Sequence, residues 1–292
     1  MVQKRDFPFF SLADQDYPEP LKQIPNPPER LFYRGTLLPG EKMFTVVGTR
    51  KPTGYGVECA KYFVGQLASC GFTIVSGLAL GTDAIVHQTA LDNKTRTIAV
   101  LGSGVDIITP LTNERLGLAI IEQGALVSEF APGTLPQKFH FPQRDRIMAG
   151  LSLGTLVIEA GEKSGALITA HAAAEQGHEV FAVPGDIFSF GSKGTHRLIQ
   201  EGAKLISDID DILEEISQLN LPLAQKENPT SSNSVFTQEN KTILSCLSKP
   251  KNLEELIRDT RLDIAKLRST LTILEIKRII KRRLDGKYQL NK

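Results

Sequence analysis

Long hydrophobic runs are missing from this chain of 292 residues. No stretch approaches the roughly 18–20 consecutive apolar residues that a membrane span needs, so no membrane partner is expected. The opening segment, MVQKRDFPFFSLADQDYPEP, does not read as a secretory signal, because Pro8 interrupts its short apolar patch and Asp14 and Asp16 follow. Cysteine is scarce: Cys59, Cys70 and Cys246 lie far apart, with neither metal-ligand spacing nor a disulfide framework. A reducing cytoplasm fits these absences. The phosphate loop G-x-x-x-x-G-K-[ST] is absent, which argues against a P-loop ATPase. The first strand-like run is followed by GTRKPTGYGVEC, which is not G-x-G-x-x-G, so an ordinary dinucleotide site is not supported. His171, His178 and His196 show no ligand spacing. The expectation is no metal and no cofactor.

Net charge is only +1, yet it is unevenly spread. Residues 236–292 hold 14 Lys and Arg against 7 Asp and Glu, a net of +7, whereas residues 1–235 hold 20 against 26, a net of −6. Such asymmetry points to a separate basic module at the C-terminal end. Residues 1–40 are rich in proline (Pro18, Pro20, Pro25, Pro27, Pro28, Pro39) and read as an extended lead-in. Residues 41–219 read as the main domain. Residues 220–235, NLPLAQKENPTSSNSV, read as a linker.

Within the main domain, short β-branched runs alternate with amphipathic segments. The strand-like runs are FTVVG, TIVSG, TIAVLG, ALVSE, GTLVIEA, HEVFAVPG and AKLIS. Helical patterns fall near 56–70, 82–92, 113–123, 164–176, 194–201 and 208–219. This is the pattern of an α/β doubly wound, mostly parallel sheet covered on both faces. Residues 236–292 add three helix-like patterns, with Thr237, Asn252 and Asp263 as candidate caps, and a tail with Asp285-Gly286 at a hairpin turn. That is the outline of a winged helix-turn-helix domain.

Several strand-like runs end at glycine: Gly48, Gly77, Gly102 and, after Pro184, Gly185. The carboxyl ends of parallel strands line the ligand crevice of such sheets, and glycine lets backbone N–H groups approach an anion there. Gly77, Gly81, Gly102 and Gly104 are therefore candidate phosphate-edge glycines, and the bland alternative is tight turns with no ligand. Thr49, Arg50 and Lys51 follow Gly48, and a guanidinium at a strand end suits a phosphodiester oxygen. The segment QKFHFPQRDR, 137–146, interleaves Lys138, Arg144 and Arg146 with Phe139, His140 and Phe141. Cations that track a backbone beside rings that stack on bases suit single-stranded nucleic acid. Gly150–Gly154 matches G-x-S-x-G, but the serine follows a helical segment and precedes a strand, the reverse of a nucleophile elbow. Asp83 and His87 stand four apart on a helix face, where a structural hydrogen bond is the commoner outcome. Glu159, at a strand end, is either a base or an anchor for the next helix through Ser164 or Thr169.

These blocks also carry a family resemblance. From about Tyr17 onward the chain resembles the DprA/Smf (DNA-processing protein A) family, through VVGTR, SGLALGTDAIVHQTAL, SEFAPGTLPQKFHFPQRDRIMAGLS and LVIEAGEKSGALITAHAAAEQG in matching order. The resemblance implies an extended Rossmann-like fold, often followed by a winged-helix domain. It also implies a non-catalytic protein that binds single-stranded DNA, forms a homodimer and assists loading of the RecA recombinase in DNA uptake and recombination. The implied DNA-contacting residues are Gly48, Thr49 and Arg50, then Lys138 and Phe141. Arg144 and Arg146, and Lys163, Ser164 and Gly165, lie at the same expected edge. An apolar stretch around Leu198, Ile199, Leu205 and Ile206 is a candidate dimer surface or core. The chain departs from the family pattern at Leu80, where a cation is usual, at Asp145, which adds a negative charge, and at His196, where Asn is usual. Two alternatives remain at this stage. One is a phosphoribohydrolase-like nucleotide hydrolase, although Val183-Pro184-Gly185-Asp186 lacks the P-G-G-x-G-T loop. The other is a winged-helix transcription regulator.

Overall fold

The computed structural model describes residues 6–218 and, beyond them, 243, 246, 247, 250–260, 267, 270, 271, 280–282 and 287–290. The chain divides into two compact units, Met1–Ala224 and Gln225–Lys292.

The first unit is built on a nine-stranded sheet in the order β1-β2-β6-β5-β4-β3-β7-β8-β9. Its strands are β1 Phe9–Ser11, β2 Arg30–Gly35, β3 Met43–Val47, β4 Thr73–Ser76, β5 Thr97–Val100, β6 Ala125–Ser128, β7 Gly154–Val157, β8 Glu179–Ala182 and β9 Lys204–Leu205. The run from β6 to β9 is parallel, while β1 and β2 are antiparallel additions at one edge. The helices are α1 Glu19–Lys22, α2 Gly54–Ser69, α3 Thr82–Asp92, α4 Glu114–Gln123, α5 His140–Leu151, α6 Ala166–Glu175, α7 Lys193–Gln200 and α8 Ile209–Gln218.

Strand periodicity sorts the core into two layers, because alternate side chains leave opposite faces of a sheet. Met43 and Val47 of β3, Ile98 and Val100 of β5 and Val157 of β7 pack with Ile147, Met148 and Leu151 of α5 and with α6. Their strand neighbours Phe44, Val46, Ile74, Leu156 and Phe181 pack with Phe63, Val64 and Leu67 of α2 and with Ile212 and Ile216 of α8. Phe44 is the hub of the second layer, with its ring centroid 5.7 Å from both Phe72 and Phe181. The parallel strands are buried on both faces, which is why they read as near-continuous apolar runs.

The proline-rich segment is not a separate lead-in. Strand β2 pairs with β6, and Tyr17, Leu21, Ile24 and Leu31 are buried in the α5–α6 layer. Proline forbids long helices, and α1 has only four residues. It does not forbid short edge strands, and Pro18, Pro20, Pro25, Pro27 and Pro28 all fall between β1 and β2. Tyr17 donates its hydroxyl hydrogen to the Pro28 carbonyl (2.8 Å), and burial pushes its pKa up to about 12. Leu198 and Ile206 are also core rather than surface, while Leu205 is exposed on the two-residue edge strand β9.

In the second unit, Asn252 caps the helix Leu253–Thr260 in a reciprocal box: Glu255 N donates to Asn252 Oδ1 and Asn252 N to Glu255 Oε2, each at 2.8 Å. Strands β10 Ile280–Arg282 and β11 Tyr288–Leu290 pair antiparallel, with Lys281 opposite Gln289. Ile243, Leu247, Leu256, Leu267, Leu271 and Ile280 share a small core. The linker expected at 220–235 and the caps Thr237 and Asp263 lie outside the described residues.

Candidate nucleic-acid interface

Strand β3 is followed in the sheet by β4 on one side and by β7 on the other. Chain progression therefore reverses between β3 and β7, and a crevice opens at the carboxyl ends of strands at such a reversal. A cavity of about 620 Å³ lies there. Its walls come from Gly48–Arg50 after β3, from Lys138, Phe141 and Arg144 around the start of α5, and from Gly161 and Lys163–Gly165 before α6. Nine of the ten residues expected from sequence to contact DNA thus meet in one place, drawn from three separate stretches of chain.

The tenth, Arg146, does not line the cavity. Two residues beyond Arg144 on α5, it pairs with Glu129. Arg144 lines the cavity but is 5% exposed and bonded within the protein: Nε donates to Asp145 Oδ1 (2.9 Å), and Nη1 donates to the carbonyls of Gly77 (2.6 Å) and Val100 (2.8 Å). It braces two strand ends from below. Asp145, read from sequence as a charge opposing DNA, is buried against this guanidinium. Burial raises the Asp145 pKa to about 6 against the pull of Arg144. Burial likewise raises Asp83. It also lowers His87 to about 3, with the Arg144 charge acting in the same sense. The spacing of Asp83 and His87 is therefore structural: Asp83 accepts from Ala79 N (3.3 Å), and His87 Nδ1 lies 2.7 Å from Thr97 Oγ1.

The strand-end glycines also serve the protein itself. A Cβ on Gly77 would fall 2.1 Å from Arg144 Nη1, one on Gly102 would fall 3.0 Å from the Phe141 ring, and one on Gly185 would fall 2.1 Å from Ser192 Oγ. Gly81, at φ +77°, makes a turn pressed against the Arg50 carbonyl, and Gly104 stands against Asp106 and Ala131. Gly77, Gly81, Gly102 and Gly104 do not line the cavity. Gly77, Gly81 and Gly102 stand against Arg144, Arg50 and Phe141, which form its walls.

The helix starts are likewise mostly occupied. Thr82 N and Oγ1 both donate to the Thr49 carbonyl (3.1 and 3.0 Å), closing the start of α3. Glu159 sits at the start of α2, accepting from Thr53 N (2.9 Å) and Thr53 Oγ1 (2.6 Å), while Thr53 Oγ1 accepts from Gly56 N (3.2 Å). Glu159 is therefore an anchor, through Thr53 rather than Ser164 or Thr169. Helix α6 is closed in a similar way: Gly165 is its cap residue, Ala166 N has Ser164 Oγ at 3.4 Å, Leu167 N donates to the Ser164 carbonyl (3.1 Å) and Ile168 N to the Gly165 carbonyl (2.9 Å). Its positive end, with Ser164, Gly165 and Ala166 in the cavity lining, lies beside Lys163.

Above the buried floor stands a rim of exposed cations: Arg50, Lys138 and Lys163. Phe141 is half-buried between two guanidiniums, its ring centroid 6.0 Å from Arg50 Cζ and 5.9 Å from Arg144 Cζ. His140 turns the other way, into the core, with its ring stacked on Phe130 at 4.0 Å. Sequence reasoning missed Phe190, a further cavity residue in the loop before α7. Its signal was an aromatic within a Gly/Ser-rich turn, DIFSFGS. Leu80 is exposed between β4 and α3 and does not line the cavity.

The family model of DNA recombination-mediator protein A matches residues 8–217. The DNA processing protein DprA of Bacillus subtilis is 44% identical over 212 residues, covering 72% of this chain and 71% of that protein. Protein Smf of Escherichia coli is 45% identical over 207 residues, 70% of this chain and 55% of that protein. The X-ray structure of DprA from Streptococcus pneumoniae superposes with a TM-score of 0.69 at 44% identity, over 72% of this chain and 75% of that one. DprA from Helicobacter pylori, whose structure is described for its single-stranded DNA binding mode, gives a TM-score of 0.65 at 28% identity, over 73% of this chain and 97% of that one. With the family model spanning the entire sheet and both walls of the cavity, the chain belongs to the DNA recombination-mediator protein A family, the DprA/Smf proteins.

Proposed function

We propose that the cavity binds single-stranded DNA without performing chemistry on it. One observation carries the reading: Arg50, Lys138, Lys163 and Phe141 converge on a single crevice beside the positive end of α6, offering phosphate ligands around an accessible ring. Phosphates are held by Arg50, Lys138 and Lys163, and a base stacks on Phe141. A duplex hides its base faces, so it can use the cations but not the ring. Arg144 supports the floor instead of touching DNA, and Arg146 supports α5.

In the cell this activity protects incoming single strands and hands them to the RecA recombinase during DNA uptake and recombination, in the cytoplasm, with the chain acting as a homodimer. These parts rest on the family relationship. The second unit, with its capped helix and its β10–β11 pair, is read as a winged-helix domain. The direct test is fluorescence anisotropy of labelled single-stranded and duplex oligonucleotides with the full chain, beside light scattering. Tighter binding of the single strand and a dimer mass support the reading. Equal affinity for both forms, or no binding to either, overturns the DNA assignment, and a monomer overturns the dimer.

A further inference from the structure

The loop between β8 and α7 carries three apolar side chains outside the core: Ile187, Phe188 and Phe190 are 72%, 89% and 68% exposed. The loop is held firmly. The Tyr55 hydroxyl donates to the Pro184 carbonyl (2.7 Å), and His196 Nε2 lies 3.0 Å from the Gly185 carbonyl, which can only accept, so that nitrogen carries the proton. Asp186 Oδ1 accepts from Phe188 N (2.8 Å), and the Asp186 carbonyl accepts from Ser189 N (3.0 Å). At the far end Ala160 N donates to the Gly191 carbonyl and Gly194 N to the Ala160 carbonyl, each at 2.7 Å. These bonds tie the loop to the residues just beyond β7, at the cavity rim. They fix the backbone that carries the exposed rings, so little backbone order is lost when a ligand stacks on them.

Phe190 belongs to the cavity wall. A Cβ on Gly161 would come within 2.4 Å of its ring, so Gly161 lets the ring lie close against the backbone. The Lys193 ammonium sits 5.9 Å from the ring centroid and shares only an exposed ion pair with Glu162 (3.2 Å), a partner that is cheap to exchange for a phosphate. The pairing of an accessible ring with a cation seen at Phe141 and Arg50 is thus repeated at Phe190 and Lys193. Phe188, two residues before Phe190, is more exposed than either ring.

We propose that Phe190 and Phe188 form a second stacking platform that carries single-stranded DNA out of the cavity, with Lys193 beside it for the backbone. This inference rests on the single-strand reading of the cavity. Continuity with that cavity and the neighbouring cation favour nucleic acid as the occupant over a protein surface.

The chain contains no tryptophan, so Phe188→Trp installs a lone fluorescent reporter at a side chain that supports no core packing. The probes are oligothymidylates of about 20 and about 5 nucleotides, the shorter one sized to occupy the cavity alone. The expected result is that the longer strand quenches the emission in parallel with its anisotropy change, while the shorter strand binds without quenching. Phe188→Ala and Phe190→Ala should each weaken binding of the longer strand about five-fold or more, and Phe188→Ala should leave the shorter one unaffected. If the parent chain binds the longer strand while the reporter stays unquenched and both alanine variants bind normally, the platform is overturned and the cavity reading survives. If the parent chain fails to bind, the cavity reading itself has failed and the platform falls with it. If the alanine variants change the mass in light scattering but not the DNA affinity, the face is a protein contact, which also overturns the proposal.

Discussion

Arg144 and Arg50 stand almost equally far from the Phe141 ring, at 5.9 and 6.0 Å, yet they do opposite work. Arg144 is buried, and its guanidinium is spent on Asp145 and two strand-end carbonyls. Arg50 is exposed, on a turn that Thr82 and Glu159 lock from behind through Thr49. The floor of the cavity uses charge to hold the fold, and the rim leaves its charge exposed. Residue type alone does not separate these roles. Burial and partner count do.

The comparison breaks most visibly at the floor. Arg144→Met strands Asp145 and two buried carbonyls, and removing one partner of a buried pair costs about 3–5 kcal/mol. The melting temperature should fall sharply. Arg144→Lys should recover only part of the loss, since an ammonium cannot span three acceptors in the geometry of a guanidinium. A variant that melts like the parent would show that the floor does not brace the strand ends.

A smaller effect should appear in the pH dependence of stability. His87 is kept neutral in the fold, its pKa lowered from 6.5 to about 3. The unfolded chain takes up a proton that the folded chain refuses, so His87 removes stability as pH falls from about 6.5 towards 3. Asp145, raised from 3.8 to about 6, acts in the opposite sense: the fold keeps a proton that the unfolded chain has lost, and stability rises as pH falls through that window. Asp83 shifts in the same direction as Asp145. Replacing His87 by Gln deletes only the first contribution. Denaturant midpoints between about pH 7 and about pH 4 should then decline less in the variant than in the parent, or rise. An identical pH profile for both proteins would contradict the buried neutral state of His87.

At the rim, Phe141→Ala should cost about 1–3 kcal/mol of single-strand affinity. The ring is half-buried against Gly102, so some stability is lost as well, and a melting curve on the same sample separates the two effects. The smallest change is expected from ending the chain near residue 224. The first unit encloses its own core and the entire cavity, so the fragment should stay folded and keep most of its single-strand affinity. Loss of binding on truncation would move the main site to the basic second unit.

Much of this was legible in the sequence. The parallel strands and their helices follow strong periodic runs, and the patterns at 82–92 and 208–219 match α3 and α8 closely. The cavity residues were legible because chemistry-bearing side chains cluster at strand ends. The edge strands β1 and β2 were not, since proline between them masks short pairing segments that gain their stability from β6 and the core. Glycine at a strand end announces a gap without saying what fills it, and here Arg144, Phe141 and Ser192 fill three of them. The anchor of Glu159 was equally hidden, because Thr53 lies 106 residues away in sequence.

If rim cations hold phosphates while Phe141 stacks on a base, the two kinds of contact respond differently to salt. Salt titration of single-strand affinity for Arg50→Ala, Lys138→Ala and Phe141→Ala, each checked for folding, separates them. Each lost phosphate contact should flatten the slope of log K against log salt by about 0.7 for a single strand. Arg50→Ala and Lys138→Ala should therefore bind with shallower slopes and differ from the parent most at low salt, whereas Phe141→Ala should be weaker at every salt concentration with its slope unchanged. A folded Phe141→Ala protein with parental affinity, together with an unchanged slope for Arg50→Ala, would contradict the account.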